Sequence, residues 1–249
     1  MHINDIVSYL SSRKFTVLWS GGKDSTATLL WILNKIQHEK WNIVYVEVTG
    51  NTHYLCNQYI HDIAKSLGVD NKLIHARREN LNFFECLEKW GVPIFGKHRW
   101  CLYQFKQKVF IEHSHFIQIS GIRKSDSSRR KKVKMLEYFR QTKKIAVNPI
   151  LNWSKRRVLQ YIKKHEIPIN PCYNLFRHSG NCVFCPYHSK KQIILTLQDA
   201  SWRKKILNTL QRVEQRGYIS KHLIHRWIYY GQQRTLINDN VCRYDIFSA

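Results

Sequence analysis

The sequence predicts an α/β protein: a doubly wound, mostly parallel sheet followed by a small basic helical C-terminal region. Three observations carry that expectation. Short apolar runs alternate with helical patterns from Phe15 to His165, the rhythm of βαβ units. A glycine turn, Ser20-Gly21-Gly22-Lys23-Asp24-Ser25-Thr26, joins the first run to the first helical pattern. After Ile167-Pro168-Ile169-Asn170-Pro171 the alternation stops, and a loop containing Cys, His and Gly leads into basic helical segments. The expected division is therefore an α/β domain over 1–167 and a cysteine-loop and helical region over 168–249.

Strands are expected at Phe15–Trp19, Ile43–Val48, Lys72–His75, Phe116–Ser120 and Ile145–Val147. Helices are expected at Ser25–Gln37, Leu55–Leu67, Leu81–Trp90, Leu102–Ile111 and Ser154–His165. In the first of these, Leu29, Leu30, Ile32, Leu33 and Ile36 recur at helical spacing. Beyond the break, helical patterns cover Lys190–Leu197, Trp202–Arg216 and Ser220–Tyr230, and Val241–Ala249 has no clear pattern. Ligands of doubly wound sheets sit beyond the carboxyl ends of the strands. Three polar or glycine loops fall there: Ser20–Thr26, Val48-Thr49-Gly50-Asn51 and Ser120-Gly121-Ile122-Arg123.

The first of these loops is the most informative segment. A strand, a glycine turn and a helix start aim backbone N–H groups and a helix N-terminus at one spot, which suits an anion such as phosphate. Gly21 and Gly22 permit positive φ and close backbone approach. Lys23 adds a mobile cation; Ser25 and Thr26 add hydroxyls. A plain capped glycine turn is the bland alternative, but seven residues in this order are more specific. The pattern is not G-x-x-x-x-G-K-[ST].

Net charge is +24, from 41 Lys+Arg against 17 Asp+Glu in 249 residues. Self-repulsion of that size is best tolerated when the partner is a polyanion. Basic clusters occur at Arg129-Arg130-Lys131-Lys132, Lys155-Arg156-Arg157, Lys163-Lys164, Lys190-Lys191 and Arg203-Lys204-Lys205. Lineage-wide bias is the competing cause of a basic composition. No apolar run reaches the ~20 residues of a membrane span, and the first residues lack a signal-peptide layout, so a cytoplasmic location is expected. Seven cysteines, an odd number, argue against a disulfide framework. Cys182-Val183-Phe184-Cys185 is a C-x-x-C pair, with Cys172 ten residues before it and Cys101 far upstream. Four thiolates suit Zn²⁺ or a [4Fe–4S] cluster. A redox role for the pair is weaker, because it does not open a helix after a first strand. Isolated buried thiols are the usual alternative and fit Cys56, Cys86 and Cys242 better.

Taken together, these motifs resemble the PAPS reductase-like branch of the PP-loop ATP pyrophosphatases. The matching segments are Ser20–Thr26, Thr49-Gly50, Arg99-Trp100-Cys101 with Lys106, Gly121-Ile122-Arg123 with Ser125-Asp126-Ser127 and Arg129, Asn148-Pro149-Ile150 with Trp153, Ile167-Pro168 with Asn170-Pro171-Cys172-Tyr173, and Cys182-Val183-Phe184-Cys185-Pro186. The resemblance implies a Rossmann-like PP-loop fold and cleavage of ATP to AMP and pyrophosphate. Ser20, Gly21, Gly22, Lys23, Asp24 and Ser25 would hold pyrophosphate and Mg²⁺; Thr26, Thr49 and Gly50 complete the nucleotide site. Gly121, Arg123 and Arg129 would contact nucleotide phosphates, with Lys23, Asp24 and Arg123 catalytic. Cys101, Cys172, Cys182 and Cys185 would ligate a [4Fe–4S] cluster, with Zn²⁺ the alternative.

The departures redirect the function. The family's thioredoxin-dependent reductases resemble one another in a C-terminal Glu-Cys-Gly-Leu-His segment, and its cluster-bearing reductases in an adjacent Cys-Cys pair. This chain has neither; Cys242 lies in Asn240-Val241-Cys242-Arg243-Tyr244. The expected function is ATP-dependent sulfur transfer to nucleic acid, DNA or tRNA, with a sulfur donor such as a cysteine desulfurase. The alternatives are reduction of a small PAPS- or APS-type sulfonucleotide, and a non-enzymatic nucleic-acid-binding module with a structural metal.

Overall fold

The structure is a computed structural model describing residues 3–140, 142–217 and 221–232. The strands are β1 (Phe15–Leu18), β2 (Trp41–Val46), β3 (Leu73–Ala76), β4 (Ile117–Ile119), β5 (Leu136–Phe139) and β6 (Lys144–Val147). They form one sheet in the order β3-β2-β1-β4-β6-β5. Every pairing is parallel except β5 against β6. Val17 faces Ile43 on one side and Ile119 on the other, so β1 is the hydrogen-bonded centre. Phe15, Thr16 and Val17 are fully buried, as expected for a strand covered on both faces. The chain builds outward from β1 through β2 to β3, then restarts on the opposite side with β4. The resulting crevice between the carboxyl ends of β1 and β4 is the switch point at which such sheets bind ligands.

The helices of the α/β part are α1 (Ile3–Leu10), α2 (Lys23–Lys35), α3 (Tyr54–Ser66), α4 (Phe83–Trp90), α5 (Trp100–Leu102), α6 (Lys108–His113) and α7 (Lys155–Lys164). A π-helical turn over Tyr103–Gln107 joins α5 to α6. Beyond them lie α8 (Cys172–Phe176), α9 (Lys190–Gln198), α10 (Ala200–Gln215) and α11 (Lys221–Gln232). One apolar core packs Trp19, Leu29, Ile43, Ile60, Val158 and Phe176 around β1, α2, α3 and α7. A second joins Phe83, Phe84 and Phe105 to Phe184, Ile193, Leu210 and Trp227. This second core draws on residues from both sides of position 168, so the C-terminal helices are packed onto the α/β body. Full burial of a side chain such as Phe105 contributes about 2–3 kcal/mol.

The α/β sheet matches the sequence expectation, with four differences. Helix α2 starts at Lys23, two residues early, because the Gly21-Gly22 turn leads directly into helical backbone. The helix expected at Leu102–Ile111 is instead a run of α5, π turn and α6. Strand β5 and helix α1 were not anticipated. Ser220, Cys242 and Val241–Ala249 lie outside the described residues. Among the described residues, no helix is long and apolar enough to cross a membrane.

Candidate nucleotide site

The loop after β1 is fixed from both ends. The Trp19 indole donates to Thr26 Oγ1 at 3.0 Å, so buried Thr26 staples the loop to the start of α2. Ser25 Oγ accepts from Ser20 N at 3.2 Å and donates to Gly22 O at 2.9 Å; the Ser20 hydroxyl lies 3.1 Å from it. Gly21 has φ +70°. A Cβ there would lie 3.0 Å from Asn170 Nδ2 and 3.3 Å from Cys56 Sγ, so glycine is required twice over. Gly22, the N-cap residue of α2, provides no side-chain cap, which leaves the helix N-terminus open to an anion.

The segment after Pro168 closes over this loop. Buried Asn170 donates through Nδ2 to Gly21 O at 3.1 Å and to Ser179 O at 3.0 Å, and accepts from Cys172 N at 2.9 Å. The Tyr173 hydroxyl accepts from Lys23 N at 3.2 Å. Burial pushes its phenol up to about 12, so it stays protonated with an O–H left to donate.

Charge converges on the same point. Asp24 lies between Lys23 Nζ at 2.6 Å and Arg123 Nε at 2.7 Å. Arg123 is 4% exposed and also reaches the Asp126 carboxylate, Ser125 Oγ at 3.1 Å and Trp153 O at 3.3 Å. Arg130 pairs with Asp126 at 2.6 Å. Lys23, Arg123 and Arg130 therefore exceed Asp24 and Asp126 by one positive charge. The Arg123 Nε and Asp24 Oδ1 atoms are buried and close, yet not aligned as a hydrogen bond. Their pairing satisfies charge but leaves directional bonding unused. Gly121 brings β4's loop against this cluster: a Cβ there would lie 2.7 Å from the Asp24 carbonyl carbon and 2.8 Å from Ser25 N.

The other expected site residues make separate contacts. Thr49 donates its hydroxyl to Arg78 O at 3.1 Å, and the Gly50 carbonyl accepts from Lys205 at 2.8 Å. Arg129 is exposed, with its guanidinium 3.9 Å from the centre of the Phe95 ring.

The four cysteines divide. Cys101, Cys182 and Cys185 are electrostatic neighbours. Burial raises the Cys101 thiol and pushes Cys185 up to about 11. Fully buried Cys172 has its Sγ 3.8 Å from His53 Nδ1 and a thiol pushed up to about 12 by burial. Gly180 packs on it, since a Cβ there would be 2.6 Å from Cys172 Sγ. Among the described residues, no three Cys, His, Asp or Glu side chains converge closely enough to hold a metal ion.

A family model for the phosphoadenosine phosphosulfate reductase domain matches residues 14–186. The chain belongs to this family. An uncharacterized protein of Methanocaldococcus jannaschii is 30% identical over 177 residues, covering 68% of this chain and 35% of that protein. An adenosine 5'-phosphosulfate reductase of Salinibacter ruber is 28% identical over 141 residues, covering 54% of this chain and 52% of that one. The chain thus spans about a third to a half of the length of these curated relatives. Among solved structures, the phosphoadenylyl-sulfate reductase of Candida auris is similar at 17% identity, with a TM-score of 0.48 over 70% of this chain and 90% of that one. The U34-tRNA thiolase NcsA of Methanococcus maripaludis, solved with its [4Fe–4S] cluster, is similar at 14% identity, with a TM-score of 0.48 over 92% and 77%. Both likenesses are weak and concern the chain path alone.

In this reductase-domain protein the structure brings the Ser20 loop, Gly121 and Arg123 together and adds Asn170 and Tyr173, which sequence reading did not single out as site residues. Their signal was present in Asn170-Pro171-Cys172-Tyr173, a polar pair around a proline just after the predicted sheet. Only the fold shows that this turn lies on the glycine loop.

Proposed function

We propose that this protein cleaves ATP between the α and β phosphates to activate an oxygen of a nucleic acid for replacement by sulfur. The observation that carries the reading is the Lys23–Asp24–Arg123 network beneath the open N-terminus of α2, at the switch point of the sheet. The loop backbone and the Tyr173 hydroxyl would bind phosphate oxygens, and Lys23 and Arg123 would offset the charge developing on pyrophosphate. Asp24 and the Ser20 hydroxyl supply the hard oxygen donors that Mg²⁺ takes; bound there, Mg²⁺ would neutralise phosphate charge. The substrate oxygen forms a bond to the α-phosphorus as the α–β bridging bond breaks, and pyrophosphate leaves with the electron pair. Hydrosulfide then attacks the activated carbon, the C–O bond breaks, AMP departs and the S–H proton is lost. A donor such as a cysteine desulfurase would carry the sulfur as a persulfide, with a thiol as the reductant that frees hydrosulfide.

The test is pyrophosphate release from ATP, measured with tRNA, duplex DNA or no acceptor. Lys23→Ala and Asp24→Asn are each expected to slow nucleic-acid-dependent release by about 100-fold or more. Release that ignores both substitutions would overturn the reading. Reduction of a small sulfonucleotide is the second reading, favoured by the Salinibacter ruber relative. Sulfite release from adenosine 5'-phosphosulfate without nucleic acid would establish it instead.

A further inference from the structure

Two turns next to the Cys101 and Cys185 segments build an exposed aromatic platform. The first is a tight turn in which Ile94 and His98 exchange both backbone hydrogen bonds at 3.0 Å, with Gly96 at φ +79°. It lifts Phe95 into solvent, 43% exposed. The second places Tyr187, also 43% exposed, two residues after Cys185; the His188 amide bonds back to Cys185 O at 3.0 Å. The turns are joined by a hydrogen bond from Phe95 N to the Tyr187 hydroxyl, and the two rings meet edge to face at 6.1 Å. Two guanidiniums share the Phe95 ring: Arg129 at 3.9 Å from its centre and Arg99 at 4.9 Å. Neither arginine pairs with a carboxylate among the described residues, although both are exposed and converge on one ring. Arg99 also acts electrostatically on Cys101 and Cys185, which ties the platform to the thiols.

We infer that this platform binds a single-stranded segment of nucleic acid, stacking an unpaired base on the layer formed by Phe95 and the guanidiniums over it, with Tyr187 bracing Phe95 at right angles and Arg99 and Arg129 reaching the flanking phosphates. The inference rests on the proposed function and names how its substrate is held. Exposed guanidinium planes layered on an aromatic ring, with no carboxylate partner, suit single strands, because every base has a π-face that stacks on such planes and every linkage an anion. In a duplex the base faces are covered by their neighbours, so duplex has no use for the rings. The net charge of +24 supplies the long-range attraction. The position of Arg129 follows from this assignment: it belongs to the polymer's phosphates, on the side of the thiols, while Arg123 serves the nucleotide.

The test is fluorescence anisotropy on the full chain with a short labelled single-stranded RNA, the same strand as DNA, the corresponding duplex, and an acidic peptide. Single strands are expected to bind more tightly than duplex. Phe95→Ala is expected to weaken single-strand binding about tenfold, and Phe95→Leu to do nearly the same, since it keeps an apolar side chain but removes the stacking face. Arg99→Gln and Arg129→Gln are each expected to reduce the slope of log affinity against log salt by about 0.7. Wild-type affinity in both Phe95 variants would overturn the inference. So would tighter binding of the acidic peptide, lost in the same variants, which would make this a protein dock. Acceptor-stimulated pyrophosphate release that is insensitive to Phe95→Ala would sink the platform and spare the proposed function. Phe95-dependent binding without any pyrophosphate release would do the reverse.

Discussion

Arg123 is the residue on which most of the site's electrostatics depend. It is buried and spans Asp24 from the helix and Asp126 from its own loop. Removing one partner of a buried ion pair leaves the other desolvated without compensation. Lys23 and Arg130 would still offset the two carboxylates, so Arg123→Ala is expected to cost about 2–3 kcal/mol, read as a lowered urea midpoint. Asn170→Ala strands the Gly21 and Ser179 carbonyls and the Cys172 amide at once, and is expected to cost at least about 2 kcal/mol by the same measurement. Two histidines set the acid limit. Burial pushes His178 down to about 4 and His188 to about 3, and their rings lie 4.3 Å apart. Both stay neutral in the folded protein while the unfolded chain protonates them as pH falls through 6.5. The unfolded state thus binds more protons between 6.5 and about 4, and stability must fall as pH falls across that window. A decline of roughly 5 kcal/mol, about 2.5 per histidine, is expected in unfolding free energies from urea titrations between pH 7 and 4.5, and His188→Phe is expected to halve it. At this scale the sequence revealed the residues whose chemistry is local. Gly21, Lys23 and Asp24 are adjacent in the chain, so their convergence was readable. The contact of Arg129 with Phe95 was not readable, because the two are distant in sequence.

At the scale of elements, the contact between β4's loop and α2 positions the site. Gly121 allows that approach, and the atoms a new Cβ would meet are backbone, which has no rotamer to yield. Gly121→Ala is expected to destabilise the protein by about 1–3 kcal/mol and to weaken ATP binding measured by calorimetry, because the shift falls on Asp24 and Ser25. Unchanged ATP affinity would show that α2 can slide without disturbing the loop. The parallel strands were legible because their apolar runs are short, β-branched and separated by helical periods. Strand β5 was not. Its outer residues Tyr138 and Phe139 are exposed, and it follows a run of four basic residues, so neither alternation nor burial distinguishes it from a loop. The Cys172 loop was legible as a potential ligand set, but burial beside His53 decides where that sulfur lies. Spacing carries no information about burial.

For the whole molecule, the charge of +24 predicts steep salt dependence. With phosphate contacts on the order of 6–10, affinity for nucleic acid is expected to fall by roughly 10³–10⁵ between low and moderate salt. A flat salt titration would show that the positive charge serves another purpose. The two apolar cores explain how a loop after Pro168 can serve a site built at β1. Phe184, Ile193 and Trp227 pack with Phe83 and Phe105, so the C-terminal helices hold the cysteine turn against the sheet. A division of the sequence at 168 followed the change in pattern; the packing crosses it, which only long-range contacts reveal.

The π turn at Tyr103–Gln107 gives this assembly a register. A π turn closes each hydrogen bond one residue later than an α turn. It therefore holds a surplus residue between Cys101, at the thiol neighbourhood, and Val109, buried against β2. Deleting one residue from this turn would let the helix relax to ordinary spacing. Everything before the deletion would then rotate about 100° relative to α6, carrying Cys101 and Arg99 away from the Cys185 turn while β2 stayed covered.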